Sequence, residues 1–266
     1  MKKIIVLMLV LASVLCGTAC GKKAEVPTVT EKAVEETTKS VSEKAPAKAP
    51  LENKKVDDKA TSFDPTDIYD KCIADYRQAI EEQLPATTLA KANMSQDIIF
   101  LYAEDKPLSK IGYIRHDFDG DGIDELLIGP IYDEESHNEG IIYHMFTANP
   151  TKGTYKDLFV STDRDQLYLC KDYSFVREFA PAEDISQYQI MDGELKIKEI
   201  IQRESVSNFD FMKKEFYTTS SWTHIEGDGG ENSVVSPMTD DQALDTVTTI
   251  CENYMQIPYT PFSELK

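Results

Sequence analysis

Not one of the 25 aromatic residues falls within the first 62 positions. A stretch without Phe, Tyr or Trp lacks the side chains that bury the most apolar area, and it cannot offset the entropy lost on ordering. Residues 21–62 are built mainly of Lys, Glu, Ala, Thr, Val and Pro, with nine Lys against eight acids. That composition predicts a disordered linker, with a root-mean-square reach of about 35 Å as a flexible coil. Apolar runs are also short. Ile4 to Leu15 is twelve residues, whereas a bilayer-spanning helix needs about 20. Lys2 and Lys3 precede that run and the small residues Gly17, Thr18 and Ala19 follow it, ahead of Cys20. Charged, then apolar, then small is the order of a secretory signal, predicted over 1–19.

Basic residues are scarce in the remainder. Residues 63–266 hold 17 Lys and Arg against 39 Asp and Glu, a net charge of −22. A nucleic-acid partner needs a basic face, so that class is excluded, and docking of an acidic body on anionic lipid is disfavoured. Three cysteines remain after Cys20, at Cys72, Cys170 and Cys251. Their spacing fits no zinc pattern, and they are expected as buried thiols, with a Cys72–Cys251 bridge as the alternative.

What is present in 63–266 reads as an α+β domain, an antiparallel sheet flanked by N- and C-terminal helices. Asp64 and Pro65 suit a helix start, and Ile68, Cys72, Tyr76, Ala79, Ile80 and Leu84 recur at helical spacing until Pro85. A short second helix is expected near 95–102. Strands are expected at 110–115, 125–131, 141–147, 154–160, 166–170, 175–179, 187–191, 194–201 and 209–218. The turn Asp192-Gly193 sets Ile190 against Leu195 and Tyr188 against Ile197, which gives that hairpin one apolar face. The Gly-rich stretch 226–236 reads as a mobile loop. Ala243, Leu244, Val247, Ile250, Cys251 and Tyr254 predict a C-terminal helix.

One segment carries chemistry: Asp117-Phe118-Asp119-Gly120-Asp121-Gly122-Ile123-Asp124-Glu125. Carboxylates at loop positions one, three, five and nine, with the carbonyl of Ile123 at seven, can converge on one hard cation. Calcium accepts six to eight such oxygens, and Gly122 permits the sharp turn. Asp124 is expected to face solvent. Position twelve, where an EF-hand carries a bidentate Glu, is Ile128. The flanks, with Tyr113 before and Leu126, Leu127 and Ile128 after, read as strands. The segment resembles the DxDxDGxxE strand–loop–strand sites of FG-GAP and VCBS-type repeats. That resemblance implies Asp117, Asp119, Asp121, Ile123 and Glu125 as Ca2+ ligands. Only one such loop occurs, so it does not imply a propeller.

The stretch Gly17-Thr18-Ala19-Cys20-Gly21 resembles a bacterial lipobox, with Gly17 where an aliphatic residue is usual. The resemblance implies acylation of Cys20, for instance by palmitate. Lipobox, linker and single acidic loop together resemble uncharacterised lipoproteins of Gram-positive bacteria. They imply a protein held on the extracellular face of the cell membrane by a lipid anchor.

The remaining candidates are His116, His137, His144, His224, Trp222, Asp228 and Glu231. For the histidines surface or structural roles are expected, since no two share a metal-binding spacing. Trp222 fits a core position better than a sugar platform. No nucleophile elbow, phosphate loop or catalytic cysteine signature occurs. The sequence therefore reads as a non-enzymatic binding or accessory domain whose partner is an extracellular protein or glycan. The alternative is an extracellular hydrolase of peptide or glycan with a structural calcium. A structural subunit assembling through a sheet face is a third possibility.

Overall fold

The computed structural model describes residues 66–149, 151–180, 183–210 and 212–265. The expected signal segment, Cys20, the linker and the helix start at Asp64 and Pro65 lie outside them. Among the described residues the chain is mostly β-strand, in two antiparallel sheets with few helices. The broad class is as the sequence suggests. The single sheet is corrected to two.

Helix α1 (Thr66–Glu81) buries Tyr69, Cys72, Ile73, Tyr76, Ala79 and Ile80, spaced three and four apart on one face. It closes through Gln83 at a φ of 50°, while Leu84 N–H reaches back to the Ala79 carbonyl at 3.0 Å. Helix α2 (Ala86–Lys91) and a 3-10 helix (Gln96–Ala103) follow. Ser95 caps the latter by accepting from Asp97 N–H at 3.1 Å.

The first sheet has the order β12-β1-β2-β4-β5, from β1 (Ile111–His116), β2 (Glu125–Pro130), β4 (His144–Asn149), β5 (Thr154–Val160) and β12 (Thr260–Pro261). Leu126, Ile128, Phe146 and Ala148 point to α1 and the 3-10 helix. Leu127 and Met145 point the other way, to the second sheet. Every residue of β2 is buried, as a strand covered on both faces must be. Gly112 and Gly129 are cross-strand partners, and a Cβ on either would lie 2.5 Å or less from a neighbouring oxygen.

The second sheet runs β11-β10-β9-β8-β7-β6-β3. Its strands are β3 (Ile141–Ile142), β6 (Asp165–Leu169), β7 (Phe175–Phe179), β8 (Asp184–Met191), β9 (Glu194–Asp210), β10 (Glu215–Glu226) and β11 (Val234–Met238). Ile190 faces Leu195 and Tyr188 faces Ile197 across a turn with positive φ at Asp192 and Gly193, the register read from the sequence. Helix α3 (Asp240–Glu252) starts at a capping box between Thr239 and Gln242. It lays Val247 and Ile250 over Cys170, Val176 and Ile201.

Four expectations are corrected. The strand expected over 141–147 is two, because β3 pairs with β6 while β4 pairs with β2 and β5. The loop expected at 226–236 ends in β11, which pairs with β10 from Val234 onward. The strand expected at 209–218 straddles a turn. Leu244 and Cys251, placed on the buried stripe of α3, are exposed. All three described cysteines are free thiols, and Cys72 is buried on the core face of α1, so no Cys72–Cys251 bridge forms.

Backbone contacts set Ser207–Thr219 apart from the other described residues. In this segment the Phe209 and Phe216 rings meet in a tilted arrangement at 4.9 Å between centroids, and the Ser207 and Thr218 hydroxyls meet at 3.5 Å.

Candidate metal centre

The acidic loop joins β1 to β2, with His116 and Glu125 as its last paired residues. Phe118, the one aromatic side chain within it, is buried against Phe175 and Tyr173, at 5.4 and 6.1 Å between ring centroids. At the far end the Tyr69 hydroxyl of α1 donates to the Asp124 carbonyl at 2.7 Å. The loop is thus pinned from the core side at both ends.

Between these anchors the backbone folds around its own carboxylates. Asp117 accepts from Gly120 N–H at 2.7 Å and from Gly122 N–H at 3.0 Å, one on each oxygen. Asp119 accepts from Asp121 N–H at 3.1 Å, and Asp121 from Ile123 N–H at 2.7 Å. Gly120 and Gly122 both take positive φ, which side chains disfavour. Glu125 is fully buried and accepts from Phe118 N–H and the Thr147 hydroxyl, each at 3.1 Å.

The result brings ligand atoms of Asp117, Asp119 and Glu125 within 4.8 Å of one another. These three could hold a metal ion. Asp121, predicted as a fourth ligand, is not in that group; its carboxylate caps Ile123 N–H instead. The Ile123 side chain packs toward α1. Asp124 is partly buried rather than fully in solvent.

The electrostatics follow from this crowding. Burial pushes the Glu125 carboxyl up to about 8, and the charges of Asp119 and Asp121 add to the effect, while its two donors oppose it. Burial, then repulsion from Asp119 and Asp117, also raises Asp121. Among the described residues no Lys or Arg forms an ion pair with these carboxylates. Like charges held this close disfavour ionisation, and a cation relieves them. The donors are all hard carboxylate oxygens, which suit a hard cation.

Two contributors escaped sequence reasoning. Thr147 comes from β4, and Gly193 N–H of the β8–β9 turn reaches Asp119 at 3.4 Å. Both are tertiary neighbours, and no local spacing signals them.

Of the other candidates only His116 adjoins the loop. His116 packs its ring on Phe118 and Tyr173. His224 meets Glu199 at 2.9 Å. Trp222 packs beside the α3 core under the Arg203 guanidinium. The Asp228 carboxylate accepts from Gly230 N–H within its own turn. His144 is 2% exposed, with Nδ1 at 2.7 Å from the Tyr76 hydroxyl and Nε2 at 3.0 Å from Asp157. Tyr76 also accepts from Ser95 N–H, and Asp157 from the Asn93 amide. This relay is closed: each group already has its partner, and burial seals the imidazole.

The fold and site together define a strand-rich domain with an acidic loop on a β-hairpin, in which Asp117, Asp119 and Glu125 could hold a metal ion. The chain matches no protein family, no curated protein and no solved structure.

Proposed function

We propose that the chain is a calcium-binding lipoprotein, exported by a signal segment over 1–19 and acylated at Cys20. It works as a binding or accessory domain toward an extracellular protein or glycan. The observation that carries the ion is the convergence of Asp117, Asp119 and the buried Glu125 within 4.8 Å. Calcium is favoured over magnesium because the loop is irregular and its remaining oxygens must come from Ile123, Asp121 or water. Magnesium demands a near-ideal octahedron. The ion's role is to hold the loop between the sheets and to offset part of the −22 charge of residues 63–266. The resemblance to lipoproteins supports the anchor through Gly17 to Gly21 and the linker composition.

Thermal melting of the full chain tests the calcium reading. At about 100 times the dissociation constant, an ion bound only by the folded state adds about 2.7 kcal/mol. For a domain of this size that raises the midpoint by about 5–10 °C over chelator. An unchanged midpoint would remove the stabilising role.

A further inference from the structure

Ser207–Thr219 differs in chemistry from the domain around it in sequence. Residues 63–266 carry −22, yet this segment holds only Asp210, Lys213, Lys214 and Glu215 as charged residues and has no net charge. Four of its described apolar side chains are exposed. Met212 is 94% and Phe216 80% exposed, and Phe209 and Tyr217 are also exposed. These are large side chains, clustered at one turn rather than scattered singly.

The turn is firmly built. The Asp210 carboxylate accepts from Met212 N–H at 2.9 Å and Lys213 N–H at 3.1 Å, and Lys214 N–H meets the Asp210 carbonyl at 2.7 Å. Lys214 takes a φ of 60° to close it. The Lys213 ammonium lies 3.7 Å from Asp210 and 3.8 Å from Glu215, so most of the charge at the turn is matched in place. Ser207, Asn208, Thr218 and Thr219 bond to one another behind the turn without charge. The segment presents two phenyl rings, a thioether and a phenol on a neutral, internally bonded hairpin.

We propose that Phe209, Met212, Phe216 and Tyr217 form an insertion tip that enters the headgroup–acyl boundary of a lipid bilayer. The inference rests on the anchor reading for its geometry. Forty-three residues lead from Cys20 to Phe63, and even fully extended they span at most about 150 Å, so an acylated chain keeps its domain beside the membrane. The acidic body is repelled by anionic lipid, whereas a neutral tip is not. Phenyl and phenol side chains partition to this boundary, and a hairpin satisfies its inner backbone groups itself. A second copy of the chain is disfavoured as occupant by repulsion between two bodies of −22.

The test places the only tryptophan at the tip. Full chain carrying Trp222→Phe and Phe216→Trp is mixed with excess phosphatidylcholine vesicles whose acyl chains are brominated. Mass of the N-terminal peptide reports acylation of Cys20 separately. Quenching of the tip emission by about twofold, with a blue shift, is the expected result for residence at the boundary. Quenching of an unacylated chain keeps the tip and removes the anchor. Unquenched emission, whether or not the chain is acylated, overturns the insertion tip. So does a dimer in light scattering that Met212→Ser dissolves, which would give the tip to a second copy. The calcium-dependent melting gain, to which the tip does not contribute, checks that each variant is folded.

Discussion

The β1–β2 loop and the relay through His144 both lean on the first sheet, and they treat charge in opposite ways. In the relay every acceptor meets a donor: Tyr76 takes Ser95 N–H, His144 sits between Tyr76 and Asp157, and Asn93 completes Asp157. In the loop, backbone amides and the Thr147 hydroxyl orient three carboxylates without matching their charge. The first cluster is finished by the protein alone. The second is arranged by the protein and left with surplus negative charge. Polar groups in a core are therefore not one category. A closed network holds helix to sheet, and an open one could hold a metal ion.

Breaking the closed network has the largest expected effect. Tyr76→Phe leaves Ser95 N–H and a ring nitrogen of His144 without their partner inside the core. Unsatisfied buried groups of this kind cost about 2–3 kcal/mol. Urea unfolding should show that loss equally with calcium and with chelator. A loss that calcium restores would mean that the two clusters are coupled.

Asp119→Asn sharpens the comparison from the other side. The amide oxygen keeps an acceptor for Asp121 N–H, gives up only the long 3.4 Å contact from Gly193 N–H on the other oxygen, and removes one charge. In chelator the variant should melt at or above the wild-type midpoint, because repulsion falls. In calcium it should lose most of the ion's gain of about 2.7 kcal/mol. Destabilisation in chelator would show that the carboxylates are as fully matched as the relay.

Acid gives the smallest effect. Burial holds the His144 imidazole below its ordinary value of 6.5, while the hydrogen bond to Asp157 works against that shift. The unfolded chain then binds a proton before the folded one does. This contribution is fully present above about pH 6.5 and is lost as pH falls, by at most about 1.4 kcal/mol per unit. Glu125, held at about 8, adds a slope of opposite sign to both proteins. The His144 contribution is therefore read as the difference in slope between wild type and His144→Gln when both are melted between pH 7 and 5.5 in chelator. A slope equal to the wild type's would assign the acid sensitivity to other groups.

The loop and the β8–β9 hairpin were legible in the sequence because their signals are local. Acids two apart with a glycine at position six, and Asp192-Gly193 between alternating strands, each carry their geometry within a few residues. Features set by distant partners were not legible. Nothing in the stretch from Ile141 to Thr147 says that its two ends join different sheets, since both pairings use the same alternation. The turn after Asp210 was hidden because Phe211, Met212 and Lys213 are poor turn signals, and a lysine takes the left-handed position. Val234 and Val235 lie in an edge strand exposed on both faces, which erases the alternation a buried strand shows. Asp121 fits the ligand spacing, but its carboxylate has a nearer partner in Ile123 N–H.

The central claim is that Asp117, Asp119 and Glu125 hold one calcium ion, and calorimetric titration of calcium into chelator-treated full chain tests it most directly. The predicted result is one ion per chain. Binding should be abolished by Asp117→Ala or Asp119→Asn, and weakened only about tenfold by Asp121→Ala, as loss of an orienting hydrogen bond implies. Absence of binding, or binding that survives both Asp117→Ala and Asp119→Asn unchanged, would contradict the account.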